Sequence, residues 1–250
     1  MISSLKRIKA LTKRNLIEMT RDPVSIVFAI GLPLVLEVMF YLIFHDLTEQ
    51  FEMRSLAPSI VVFSQAFLCL FVGILISTDR TTSFLTRLYV SGARSFEFII
   101  SYALSVLPIA AVQSVLFILV GGAIDSSLFT LGAVYAILLS LFTALFFIGA
   151  GILFGSICNE RSIGGVASII IMGQSVLSGM WFPPEGLGDT VVFVMKVLPF
   201  KNAADIIGNL INGAACGFDN FFLPLIVVLC YTIAAFAAAI FAFAGKMRAK

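Results

Sequence analysis

Long apolar runs alternate with short polar interruptions along this chain. A membrane-spanning helix needs about 20 predominantly apolar residues, and six runs have that length: Val24 to Phe44, Ala57 to Ser77, Phe98 to Ile124, Ser126 to Cys158, Ser162 to Phe182 and Asn220 to Gly245. The third and fourth are parted only by Asp125, with Gly121-Gly122 before it and Ser126-Ser127 after it. That cluster predicts a tight hairpin and trims the two spans to residues 98–121 and 128–155. The pattern predicts an all-α integral membrane protein in one domain, residues 1–250, with six transmembrane helices over 24–44, 57–77, 98–121, 128–155, 162–182 and 220–245.

The segments outside the runs have characters of their own. Over residues 1–22, Leu5, Ile8, Leu11, Leu16 and Met19 recur at near-helical spacing among Lys6, Arg7, Lys9, Lys13, Arg14 and Arg21. No apolar core of a signal peptide is present, so this is a basic amphipathic helix expected to lie in the membrane interface. Asp22-Pro23 ends it and starts a new element. The loop over 183–219 is long. Within it, Thr190 to Leu198 is apolar apart from Lys196 but far too short to cross, which suits a re-entrant or interfacial segment. Pro199 breaks that segment, and Ala203 to Ile211 predicts a second short helix before Asn212-Gly213.

The most elaborate interruption is Asp79 to Glu97, DRTTSFLTRLYVSGARSFE. Its centre, Ser83 to Val90, reads as a short amphipathic helix, with Phe84, Leu85 and Leu88 on one side and Arg87 and the hydroxyl groups elsewhere. A chain that only reversed direction needs a few residues. This stretch reads as a surface on which something outside the membrane pushes.

Composition makes the membrane assignment firm. Of the 250 residues, 60% are hydrophobic and 12% charged, with mean hydropathy +1.08. Soluble domains hold about 25% charged residues, so most of this surface must face lipid. The net charge of +2 matters less than its distribution. All but Arg54, Lys196 and Lys201 of the 16 lysines and arginines fall in segments on one side of the six-span layout. By the positive-inside rule, both termini and the loop over 79–97 are cytoplasmic, and the chain is a multi-pass protein of the plasma membrane.

Enzyme chemistry is absent from the pattern. There is no Walker A, GxSxG or HExxH motif, and the four cysteines, Cys69, Cys158, Cys216 and Cys230, show no metal-ligand spacing. No catalytic residue, no metal and no cofactor bound by this chain is expected, nor any nucleic-acid partner.

Asp79-Arg80 followed by Ser83-Phe84-Leu85-Thr86-Arg87-Leu88, then Ser91-Gly92 and Glu97, resembles the cytoplasmic stretch after the second span of ATP-binding-cassette (ABC) type-2 permeases. Leu177-Ser178-Gly179-Met180-Trp181-Phe182-Pro183, then Leu198-Pro199-Phe200, is similar to that family's pattern at the outer end of span five. The resemblance covers nearly the whole chain. It implies a coupling helix that sits on a separate ABC ATPase subunit, which carries the ATP and Mg. It implies a second permease chain, making a homo- or heterodimer. The coupling residues would be Asp79, Arg80, Phe84, Leu85, Arg87 and Leu88. Phe84, Leu85 and Leu88 would anchor in an ATPase groove as apolar hot spots do.

Glu37 is the only formal charge within a predicted span. A charge at helix centre costs roughly 2.5–3.5 kcal/mol on insertion scales, so it should face protein or water. That leaves the substrate pathway, a dimer seam or interfacial anchoring. Gln65, Gln113 and Gln174 suit interhelical hydrogen bonds. Gln174 also has a claim to the pathway, because the resemblance places span five near the central seam. Gly151 and Gly155 have the spacing of close helix packing. The resulting expectation is a permease subunit that exports a drug, antibiotic or lipid-like compound. Alternatives are a lipid-linked glycan or polysaccharide exporter and an ion-coupled secondary transporter, which would usually carry several intramembrane carboxylates.

Overall fold

The apolar runs fold as helices in the computed structural model of the chain, which describes residues 2–82, 84, 94–214 and 217–248. Among them are no strands, and the molecule is an all-α membrane protein. Helix α1 spans Ile2–Thr20. Five helical segments are long and apolar enough to cross a membrane: α2 at Pro23–Phe44, α3 at Met53–Thr81, α4 at Ser95–Ile124, α5 at Leu131–Ile157 and the stretch Phe218–Phe243. The last comprises a π-turn, Phe218–Phe222, and helix α9, Leu223–Arg248.

The fifth apolar run behaves differently. It forms α6, Glu160–Leu177, of 18 residues, about 27 Å at the helical rise. Gly179 then takes a φ of 84°, a left-handed turn that suits glycine, and Pro183-Pro184 follow. The run is therefore a shorter helix than residues 162–182 suggested, and Glu160 and Arg161 dilute its apolar character.

Helix α3 is the axis of the bundle. It extends about one turn beyond each end of the run over 57–77, so Asp79 and Arg80 are helical, not loop. Helices α2, α4, α5 and α6 all pack against it. Its approach to α5 is governed by Gly151 and Gly155. A Cβ on Gly151 would stand 2.6 Å from the Cys69 carbonyl oxygen, and one on Gly155 would stand 2.8 Å from that of Gly73. The small-residue spacing thus serves a seam inside the chain.

Polar side chains stitch the same helices. Gln65 on α3 donates to the Ser140 carbonyl at 2.8 Å and accepts from Thr143 at 2.9 Å, and Ser140 donates to Ser114 on α4 at 2.7 Å. In α2, Pro33 has no N–H to return to the Ala29 carbonyl. Gln113 of α4 donates to that carbonyl at 3.1 Å. A π-turn at Val27–Gly31 lies just before the proline.

At the end away from α1, the hairpin forms at Asp125, whose carboxylate accepts the Ser127 N–H at 2.9 Å. That bond, foremost among several causes, holds the Asp125 carboxyl below its ordinary range. Two further helices lie at this end: α7, Asp189–Val197, and α8, Pro199–Ile211. Asn202 pins the corner between them by donating to the carbonyls of Lys196 and Leu198 at 2.8 and 2.6 Å. Helix α8 packs on α5, α9 and α3, with the Leu210 carbonyl set against Gly132 where a Cβ would collide.

Candidate functional site

At the other end, α1 lies against α4 and touches α3. Leu11, Asn15 and Met19, spaced four apart, form its buried stripe. Beside that stripe Arg7, Arg14 and Glu18 follow one another at helical spacing. Each arginine reaches an enclosed carboxylate.

Asp79, near the end of α3, is 1% exposed. It accepts a two-point bond from the Arg14 guanidinium at 2.6 and 2.7 Å and a third bond from the Tyr102 hydroxyl at 2.6 Å. Burial acts to lower the Arg14 pKa, but the hydrogen bond and charge of Asp79 outweigh it and leave the group raised. Glu97, in the first turn of α4, is equally enclosed and accepts from Arg7 at 3.1 Å and from the Ser4 hydroxyl. Its second oxygen accepts the Arg94 N–H at 3.1 Å, capping the helix it opens. A buried carboxylate survives only when paired and hydrogen-bonded, and both meet that condition.

Asp79 and Arg80, expected at a partner's contact surface, are turned inward. Arg80 donates to the carbonyls of Gly155 and Cys158 at 2.9 and 3.1 Å, satisfying the end of α5 where helix carbonyls lack partners. These two residues hold the root of the loop to α1, α4 and α5. Phe84 is half-buried, and the Arg14 guanidinium stands over its ring at 4.2 Å, a cation–π contact. Arg14 also pairs with Glu18. One guanidinium therefore joins α1 to α3 and to the first described residue of the loop. Leu85, Arg87 and Leu88, with the rest of the expected helix Ser83 to Val90, lie outside the described residues.

The two residues expected in the pathway lie on different helices. Glu37 on α2 is fully buried, and neither carboxylate oxygen has a hydrogen-bond partner among the described residues. A Cβ on Gly121 would stand 3.1 Å from a Glu37 oxygen, from Met53 Sδ and from a Leu128 methyl. The carboxyl thus lies by the Gly121 backbone inside the bundle, in a neighbourhood that Met53 and Leu128 share. Gln174 on α6 is also fully buried, and neither amide atom has a hydrogen-bond partner among the described residues. One turn further on, Ser178 lines a polar cavity of about 640 Å3, which Glu49, Arg54, Lys201, Asp205 and Asn212 also border. Lys201 and Asp205, one turn apart on α8, pair along its wall at 2.8 Å.

Arg7, Arg14, Glu18 and Tyr102 were not singled out from the sequence. The seven-residue spacing of Arg7 and Arg14 places them on one helical face and was a usable signal. Nothing in the sequence marked Tyr102.

Helices built around buried, fully paired joints at one end and a polar cavity at the other define a multi-pass α-helical membrane protein. The profile of the ABC-2 type transporter family matches residues 6–208, and the chain belongs to that family. It is thus the transmembrane component of an ABC transporter, a type of component that works in a membrane with an ATPase partner. A comparison with curated proteins finds no similar one.

Proposed function

We propose that the chain is the permease subunit of an exporter that moves a hydrophobic or amphipathic compound outward across the plasma membrane. It acts as one of two permease chains and is energised by separate ATPase subunits that carry ATP and Mg. Both termini and the α1 end face the cytoplasm. α6 serves as the fifth of six spans, and α7 and α8 dip into the outer leaflet as a re-entrant pair.

The observation that carries this reading is the Arg14 joint. A subunit pressing on the loop after Thr82 meets Phe84 first, then Arg14, then Asp79 and Tyr102. Contacts this short, two of them charge-assisted, move as a unit, so a push on the loop displaces α1, α3 and α4 together. Leu85 and Leu88 supply the remaining anchors for the ATPase, and Arg87 its polar contact. Gln174 is buried one helical turn from Ser178 of the polar cavity, and it meets a passing solute when that turn of α6 opens. Glu37 contributes only if the packing of α2 against α3 and α4 opens during the cycle.

The test is co-purification with the candidate ATPase, then ATPase activity and compound efflux in proteoliposomes. Phe84→Ala with Leu85→Ala and Leu88→Ala should abolish ATPase association while the permease still folds. Persistence of a fully coupled complex in that triple variant sinks the proposal. A lipid-linked glycan is the second reading, favoured by the polar lining of the 640 Å3 cavity. It predicts stimulation by undecaprenyl-linked sugars and none by apolar drugs.

A further inference from the structure

At the elbow where α1 gives way to α2, a cavity of about 140 Å3 opens among α1, α2, α3 and α4. Its body is apolar, formed by Met19, Ile26, Phe71, Leu75 and Ile109. Its lip carries Glu18 and Asp22. An apolar cavity of about 150 Å3 accepts a benzene ring, so this one suits a single ring or a short alkyl chain.

The charges around the lip do not balance. Arg14 bonds Asp79 at two points and also pairs with Glu18, so one guanidinium serves two carboxylates. Asp22 is held by neutral donors alone, the hydroxyl and the N–H of Ser25. Those bonds keep its carboxyl below the ordinary range, and it stays ionised at neutral pH. Arg21 is exposed and does not line the cavity. Two carboxylates thus border the apolar pocket: Glu18, which shares Arg14 with Asp79, and Asp22, which has no cation paired with it among the described residues.

We propose that this elbow binds a hydrophobic organic ammonium compound, its ring or alkyl part among Phe71, Leu75 and Ile109 and its cation at Glu18 and Asp22. Charge selects the ligand at the lip, and the apolar wall selects against hydrated inorganic cations, which cannot shed their shell there. The site lies within one chain, apart from Gln174 and the polar cavity. It also adjoins the coupling joint: a cation that takes Glu18 removes one of the groups on Arg14. That the bound compound is a transported one rests on the reading above, whereas its binding does not.

The experiment titrates the full chain, purified without an ATPase in maltoside micelles, with two probes. Benzyltrimethylammonium carries the ring and the charge; neopentylbenzene has the same shape without the charge. The expected result is saturable binding of the ammonium, at least tenfold tighter than the hydrocarbon. Glu18→Gln combined with Asp22→Asn should weaken the ammonium tenfold or more and leave the hydrocarbon unchanged. Asparagine caps a helix as well as aspartate does, so α2 keeps its start. Ile74→Phe, a wall substitution that leaves both carboxylates in place, should weaken both probes. Melting curves verify folding of each variant. Equal affinity for the two probes, no saturable binding, or an unchanged ammonium affinity in the double variant overturns the proposal. Displacement of the probe by phosphatidylethanolamine at micellar fractions overturns it in favour of a lipid headgroup. Because no ATPase is present, any of these failures leaves ATP-driven transport untouched.

Discussion

The Arg14–Asp79–Tyr102 joint and the surroundings of Glu37 both enclose a carboxylate among helices, yet they are built in opposite ways. Around Asp79 every approach is a donor: two guanidinium nitrogens and a phenol. Around Glu37 the neighbours are a glycine backbone, a methionine and a leucine, and no donor reaches it among the described residues. A paired carboxylate fixes one arrangement of its helices, because any other leaves a buried charge alone. An unpaired one fixes nothing and penalises the arrangement it occupies. The α1 end, where we propose that force enters, is therefore held in one arrangement, whereas the interior keeps polar groups with no partner among the described residues.

The same substitution, to methionine, separates the two cases by sign. Arg14→Met is expected to have the largest effect, about 3 kcal/mol of destabilisation from stranding Asp79. It should lower the melting temperature in micelles and uncouple ATPase activity from efflux; an unchanged melting temperature removes the distinction. Gln113→Leu comes next, at about 1–3 kcal/mol, since the Ala29 carbonyl loses its donor inside the bundle. Glu37→Met and Gln174→Met should reverse the sign, leaving stability unchanged or raising it by about 1 kcal/mol, because each removes a polar group that has no partner. Efflux should nonetheless fall in Gln174→Met, and full efflux in that variant takes the residue out of the pathway. Smallest is Asp125. Its carboxyl is lowered in the folded state, so its contribution is complete above the ordinary carboxylate value of about 4. That contribution is lost as pH falls through the folded value. Asp125→Asn should lower stability slightly at neutral pH, change nothing at the acid end, and so flatten the acid limb of the profile.

Much of the architecture was legible because apolar length alone specifies a membrane helix. The hairpin at Asp125, the break at Asp22-Pro23 and the two short helices on either side of Pro199 announce themselves through local turn chemistry. The extent of α6 was less legible, since glycine at φ 84° ends a helix that hydropathy alone would continue through Trp181 and Phe182. The joint was the least legible part. Arg14 and Asp79 are 65 residues apart, and the positive charge of α1 is already accounted for by topology. Only the three-dimensional packing shows which arginine meets which carboxylate. Gln65, Gln113 and Gln174 look alike along the chain. Two of them cross-link helices and the third has no hydrogen-bond partner among the described residues, a difference set by what the neighbouring helix offers at that height.

The bond from Gln113 to the Ala29 carbonyl bears on how the chain is made. The first span leaves the ribosome with a carbonyl that Pro33 cannot serve, and its donor lies 84 residues later, on a helix not yet synthesised. Until α4 arrives, that carbonyl lacks the side-chain donor it has in the folded bundle. Meeting α4 thus gives α2 a hydrogen bond that it cannot make as an isolated helix.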